Sequence, residues 1–228
     1  MNISPDDIRW IFIYLFVLLI SIALHEFGHA FMAHKLGDDT PNRQGRVTLN
    51  PLAHADPIGT FLLPLMGGLY GAATHGGGGG FGWGKPVQWQ PSRVRRTIRM
   101  STAQILVSFA GPLMNVVLAT VLAVTLSVLL SQGVIAYGGE ISQIFYFAIV
   151  TNFVLFFFNL LPVPPLDGGH IAQSFMPYKY RSQFDEFARY GPFIILGFML
   201  IPQMRMLFVA PALWCANNLT HGLHSLFV

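Results

Sequence analysis

A chain of 228 residues with 53% hydrophobic and 10% charged residues is too apolar for a soluble globular core, and it reads as one polytopic membrane domain over residues 1–228. Its net charge of +3 lies in short connecting loops, which fits membrane topology and phospholipid contact and does not point to nucleic acid. The single cysteine, Cys215, excludes an intramolecular disulfide and reads as a small packed hydrophobe.

The first predicted span runs from Ile8 to Ala33, and residues 8–24 are apolar apart from Arg9, Tyr14 and Ser21. Asp6 and Asp7 precede it where a cleaved signal would carry basic residues, so the run reads as a retained helix. It delivers His25-Glu26-Phe27-Gly28-His29. His-Glu-x-x-His spacing puts both imidazoles on one helix face, one turn apart, where two ring nitrogens can share a metal ion. Glu26 projects to the side, suited to take the proton of an attacking water. The bland alternative is two core histidines with a fortuitous glutamate. It would leave three ionisable groups inside a span without a purpose, at a cost of kilocalories.

A polar stretch, Lys35 to Arg46, leads into Thr48-Leu-Asn-Pro-Leu-Ala-His54-Ala-Asp56-Pro57 and a shorter apolar piece, Ile58 to Ala73. That piece is below the usual length of a span, and Pro64, Gly67, Gly68 and Gly71 interrupt it. A re-entrant or membrane-surface element is expected there, its backbone covered by protein. If it turns back, the loops 34–99 and 162–183 share one side and hold ten of the thirteen Lys and Arg residues. This is a positive-inside pattern that puts that side in the cytoplasm. Gly76–Gly80 reads as a flexible loop tip, since no P-loop Lys-Ser/Thr pair follows it. Arg93, Arg95, Arg96 and Arg99 precede a long span, about Ala103 to Leu130, which carries Gly111-Pro-Leu-Met-Asn115. Another span, Ile141 to Leu161, ends in Asn159-Leu-Leu-Pro162-Val-Pro164-Pro165-Leu-Asp167-Gly168-Gly169-His170. A short span near Tyr190 to Pro202 and a last one near Met206 to Phe227 complete the chain, with no internal repeat.

A catalytic zinc typically takes three protein ligands and keeps one position open, so a third ligand is needed beside His25 and His29. Asp167 has the best surroundings: three prolines prevent a regular helix before it, and two glycines after it permit close backbone approach. From the local sequence alone, Asp167 serves equally well as a turn-capping aspartate.

Together, HEFGH and NLLPVPPLDGG resemble the two signatures of the site-2 protease family of intramembrane zinc metalloproteases, in the right order. The resemblance covers the chain from the first span to about His170, and it is to the short bacterial type. It implies one Zn²⁺ per chain held by His25, His29 and Asp167, Glu26 as the catalytic base, and Asn159 beside the scissile carbonyl as an oxyanion donor. TLNPLAHADPIGT and AGPLMN also look like segments of short members. His54 there either lines the site or is a polar loop histidine, and Asn115 makes either a helix–helix contact or a substrate contact. FGWGKPVQW resembles the edge strand along which family members hold an extended substrate. The fold expected is therefore an all-α polytopic membrane protein. It would have about five spanning helices, with a re-entrant or membrane-surface element and a short β-hairpin between the first two long spans. No span precedes the HEFGH helix and neither a PDZ-like nor a CBS-like domain is present, so the gating of longer members is not carried over.

The function implied is hydrolysis of peptide bonds within or near transmembrane helices, in a bacterial plasma membrane, with the active site towards the cytoplasm. The partners are a transmembrane protein or peptide substrate and the lipid bilayer. The alternative is a divalent-metal transporter, which can also carry His-Glu-x-x-His in a span. It would need ligands on several helices and usually a His-rich loop, whereas the remaining histidines here are scattered. A catalytically inert membrane adaptor would not need both motif halves intact.

Overall fold

The computed structural model describes residues 3–74 and 82–227, which form helices and loops with no strand among them. The glycine run Gly76–Gly80 lies outside the described residues. Among the described residues the α-helices are α1 Pro5–Leu36, α2 Thr40–Arg43, α3 Leu63–Thr74, α4 Met100–Ser131, α5 Glu140–Asn159, α6 Asp167–Phe175, α7 Arg181–Arg189, α8 Gly191–Leu200 and α9 Pro202–Phe227.

Local signals set the ends of α1. The Ser4 hydroxyl accepts from the Asp7 amide at 3.1 Å while the Ser4 amide donates to the Asp7 carboxylate at 2.9 Å. This reciprocal cap satisfies two otherwise orphaned donors and puts Asp6 and Asp7 at the positive end of the helix dipole. At the other end Gly37 takes φ 110°, a left-handed conformation that favours glycine and stops the helix.

Three helices, α1, α4 and α5, are long and apolar enough to cross a membrane. Their relative directions follow from their contacts. Arg9 and Glu140 pair at 2.7 Å between the N-terminal ends of α1 and α5. Ala33 and Leu36, late in α1, are buried with Ala103 and Val107, early in α4. So α1 and α5 run parallel and α4 runs against both. The long connections 37–99 and 160–180 gather at one end of the bundle and the 131–140 turn at the other. Ala119 and Ala123 of α4 and Ala212 and Ala216 of α9 are fully buried around Ile149 and Phe153 of α5. Lipid tails are as apolar as leucine, so close approach at small residues drives such packing.

The expectation of about five spans is corrected to three, or up to four if α8 and α9 count together as one broken span. At 1.5 Å per residue α8 is only ~15 Å long, half the hydrocarbon thickness. The C-terminal half of α9 carries Asn217, Asn218, Thr220, His221 and His224, too polar for a span. The two helices meet at an 81° bend at Ile201.

The expected β-hairpin is also absent from the described residues. A π-helical turn, Pro57–Leu62, runs straight into α3, and Gly68 of α3 faces Ile11 near the start of α1. The chain then returns to its starting level, where the Trp83 amide donates to Gly59 O at 3.1 Å. Residues 82–90 are extended but pair with no second strand. Their amides go instead to loop carbonyls and to carboxylates: Lys85 N to His54 O at 2.8 Å, Val87 N to Glu26 Oε2 at 3.1 Å, and Gln90 N to the buried Asp38 Oδ2 at 2.5 Å. Pro86 and Pro91 supply no donor, which further denies a regular ladder.

Candidate active site

His25 and His29 project from one face of α1 with their Nε2 atoms 3.0 Å apart. The Asp167 carboxylate closes the group, Oδ2 lying 3.2 Å from His25 Nε2 and Oδ1 3.4 Å from His29 Nε2. Asp167 is the first residue of α6; Leu166 occupies the cap position and makes no side-chain cap bond. Of the two readings open from sequence, the carboxylate thus faces the imidazoles and does not cap the turn. Residues 160–166 break the path from α5 to α6. Val163 and Leu166 are buried there with Phe158, Ile195, Phe198 and Phe208. A Cβ on Gly168 would overlap the carbonyls of Leu160 and Leu161, so only glycine lets α6 start this close to the end of α5.

The outer nitrogens decide what the inner ones can do. His29 Nδ1 lies 2.7 Å from Val107 O, and His25 Nδ1 lies 2.8 Å from Asn115 Oδ1. Both partners are acceptors, so each Nδ1 carries the proton and each neutral ring turns a bare Nε2 lone pair inward. Two lone pairs and a carboxylate then converge within 4.8 Å. Three acceptors so close repel one another unless a cation sits among them, and the two-histidine, one-carboxylate set is a known catalytic zinc set. The residues fit the metal. Asn115 is itself fixed: its amide donates to Ser21 O at 3.2 Å and to Asn152 Oδ1 at 3.0 Å, and Asn152 donates to Ser21 Oγ at 3.0 Å. Asn115 is therefore a helix–helix contact that also orients the His25 ring. Gly111, one turn before it, has His25 and His29 where its side chain would be; any Cβ would overlap the His29 ring.

Glu26, Asn159 and the three-residue group all line one cleft of about 1390 Å³. Its walls are mainly apolar, with Trp10 and Ile22 of α1, Trp83 of the extended segment, and Phe147 and Val154 of α5. Asn159 donates to Leu155 O of its own helix at 2.9 Å. His54 does not line the cleft. It is fully buried, with Nε2 donating to Thr48 O at 2.9 Å and its carbonyl accepting from Lys85. Burial pulls the His54 pKa below its ordinary value; the Thr48 bond opposes this, the Arg46 charge adds to it, and the Glu26 charge opposes it. Sequence reasoning missed Asn152, Gly111, Arg46 and Asp38. Arg46 is 5% exposed and Asp38 is fully buried, although both lie in a stretch that reads as a polar connection.

The sequence profile of Peptidase family M50 matches residues 13–138 and 128–202. The chain belongs to this family. It is thus an integral membrane peptidase, and the metal-transporter alternative finds no support. The chain is 37% identical to "Putative zinc metalloprotease YwhC" of Bacillus subtilis over 81% of this chain and 78% of the relative. Two proteins named Rip2, with the same description, are similar as well. The one from Mycolicibacterium smegmatis is 28% identical over 93% of this chain and 78% of its own length. The one from Mycobacterium tuberculosis strain H37Rv is 29% identical over 86% and 70%. No solved structure matches the chain.

Proposed function

We propose that the chain is one membrane-embedded zinc metalloprotease domain that hydrolyses peptide bonds within or near transmembrane helices of membrane-protein substrates. The observation that carries this is the convergence of His25, His29 and Asp167 beside Glu26, in one apolar-walled cleft of a family M50 chain. His25, His29 and Asp167 hold the metal. When bound, zinc supplies Lewis acidity, polarising a carbonyl and making water nucleophilic near neutral pH. Glu26 takes a proton from the attacking water and returns it to the leaving amine. Asn159, swung from Leu155 O, donates to the developing oxyanion. Val107 O and Asn115 keep both imidazoles in the tautomer that binds metal. The apolar walls suit a substrate segment that arrives from lipid as a helix and opens its hydrogen bonds inside the cleft.

The His25–His29–Asp167 group lies towards the end of the bundle that gathers the connections 37–99 and 160–180, where most of the Lys and Arg residues lie. That charge supports a cytoplasmic active site in a bacterial plasma membrane. Single-cysteine labels at Thr97 and Tyr178 should both react from the cytoplasm and one at Tyr137 from the opposite side. Opposite sides for Thr97 and Tyr178 would overturn the orientation. The activity is tested by reconstituting the purified chain with a single-span reporter. Cleavage that stops on chelation and returns with zinc is expected; a zinc-loaded chain that cleaves no single-span reporter would contradict the proposal.

A further inference from the structure

Arg46 is the buried charge that the reaction above leaves unused. Its guanidinium donates from Nη1 to Ala53 O and from Nη2 to Lys85 O. Among the described residues no carboxylate pairs with it within salt-bridge distance, although Glu26 is close enough for its charge to act on Arg46. A buried cation that makes no ion pair is costly unless hydrogen bonds satisfy it, and the two carbonyls supply them. Those two bonds tie the 47–56 loop to the extended segment 82–90. The same joint is closed by the Lys85 amide, which donates to His54 O at 2.8 Å.

Extended backbone alternates its direction, so amides two residues apart face the same way. Lys85 N and Val87 N therefore point to the same flank. The second of them meets Glu26 Oε2 at 3.1 Å. Gly84 lies against the same helix face, where a Cβ would come within 2.5 Å of Ile22 Cγ2 and 3.1 Å of Glu26 Cγ. A slip of the segment by one residue would replace the Val87 amide by Pro86, which has no N–H. The Arg46 bond to Lys85 O lies two residues from the Val87 amide that meets the carboxylate.

We propose that Arg46 is a positioning residue for peptide hydrolysis. By clamping the carbonyls of Ala53 and Lys85 it holds the register that presents the Val87 amide to Glu26, and so fixes where that carboxylate meets the attacking water. The inference rests on Glu26 as the base, so Glu26→Gln serves as a separate control.

The test uses the full-length zinc-loaded chain in lipid vesicles with a single-span reporter, comparing Arg46→Lys, Val87→Pro and the double variant. Lysine keeps the charge but lacks the fork that reaches two carbonyls. Val87→Pro deletes the amide donor and leaves Arg46 untouched. Zinc content should stay at one per chain in all three. For each single variant kcat should fall by roughly 10- to 100-fold, as expected for a displaced catalytic group, with KM changed less than about threefold. The double variant should fall no further than the worse single one, because both remove one coupling. In Arg46→Ala, methylguanidinium should restore part of kcat, a readout that loss of general stability would not give. Wild-type kcat in Arg46→Lys, multiplicative losses in the double variant, or a rise in kcat for Val87→Pro would each overturn the assignment. If Glu26→Gln itself retains activity, the reading of Glu26 fails first and independently of Arg46.

Discussion

The two flanks of the cleft are built differently. On the ligand flank everything is helical. His25 and His29 come from α1, and their outer nitrogens are held by Asn115 and Val107 O of α4. Asn152 of α5 closes the network onto Ser21 of α1. Such bonds between spans contribute roughly 0.6 kcal/mol each and up to about 1.7, so several together fix geometry more than they fix stability. On the Glu26 flank the supporting backbone is not helical, and its polar groups are satisfied by Arg46, Asp38, His54 O and Gly59 O. Irregular backbone is tolerated at membrane depth only where protein covers it or it lines a cavity. Here it does both. On the proposed reading this is a division of labour: helices preset the His25–His29–Asp167 group, and a loop layer bonded to Glu26 presets the proton acceptor.

Perturbing each flank should break different properties. The largest effect belongs to the ligands. Asp167→Ala, His25→Ala and His29→Ala should each lower zinc from one per chain to below about a tenth, measured by elemental analysis, because two protein donors are too few for a stable site. Gly111→Leu should match them while removing no ligand, since its side chain would occupy the ring positions of His25 and His29. Normal zinc in Gly111→Leu would mean that α4 can retreat from α1. Next comes Asn115→Ala, which should weaken zinc by about 10- to 100-fold in chelator competition. An unchanged affinity would detach Asn115 from the metal. Asn159→Ala should keep its zinc and lose at most about 100-fold in kcat, since one oxyanion donor contributes about 3 kcal/mol and the metal shares that duty.

What was legible in the sequence was local. The HEFGH spacing and the proline-broken LDGG turn each state their geometry within a few residues, and the two motifs do meet. The local sequence leaves Asp167 open between cap and ligand, because only the fold brings its carboxylate to the two imidazoles of α1. Gly111 was hidden for the same reason: its role is to have no side chain where two distant histidines stand. Arg46 and Asp38 sit in a polar stretch with the composition of a solvated connection, and their burial comes from loops that pack back over α1. The resemblance of the 82–90 segment to an edge strand implies extended backbone, which is found, but its partners are carbonyls and carboxylates scattered over four other segments, so the expected hairpin is absent among the described residues. At the C-terminus, apolar length suggests two spans, whereas the 81° bend at Ile201 leaves α8 and α9 at most one broken span, a geometry that hydropathy does not encode.

On the proposed reading, metal retention and proton transfer reside on separate flanks of one proteolytic cleft. Glu26→Gln tests it most directly, because it keeps side-chain volume and a polar tip but cannot accept the proton. Zinc content and reporter cleavage should be measured on the same reconstituted preparation. One zinc per chain is expected together with a loss of hydrolysis of about 10²-fold or more. Hydrolysis at the wild-type rate, or zinc lost in step with activity, would contradict it.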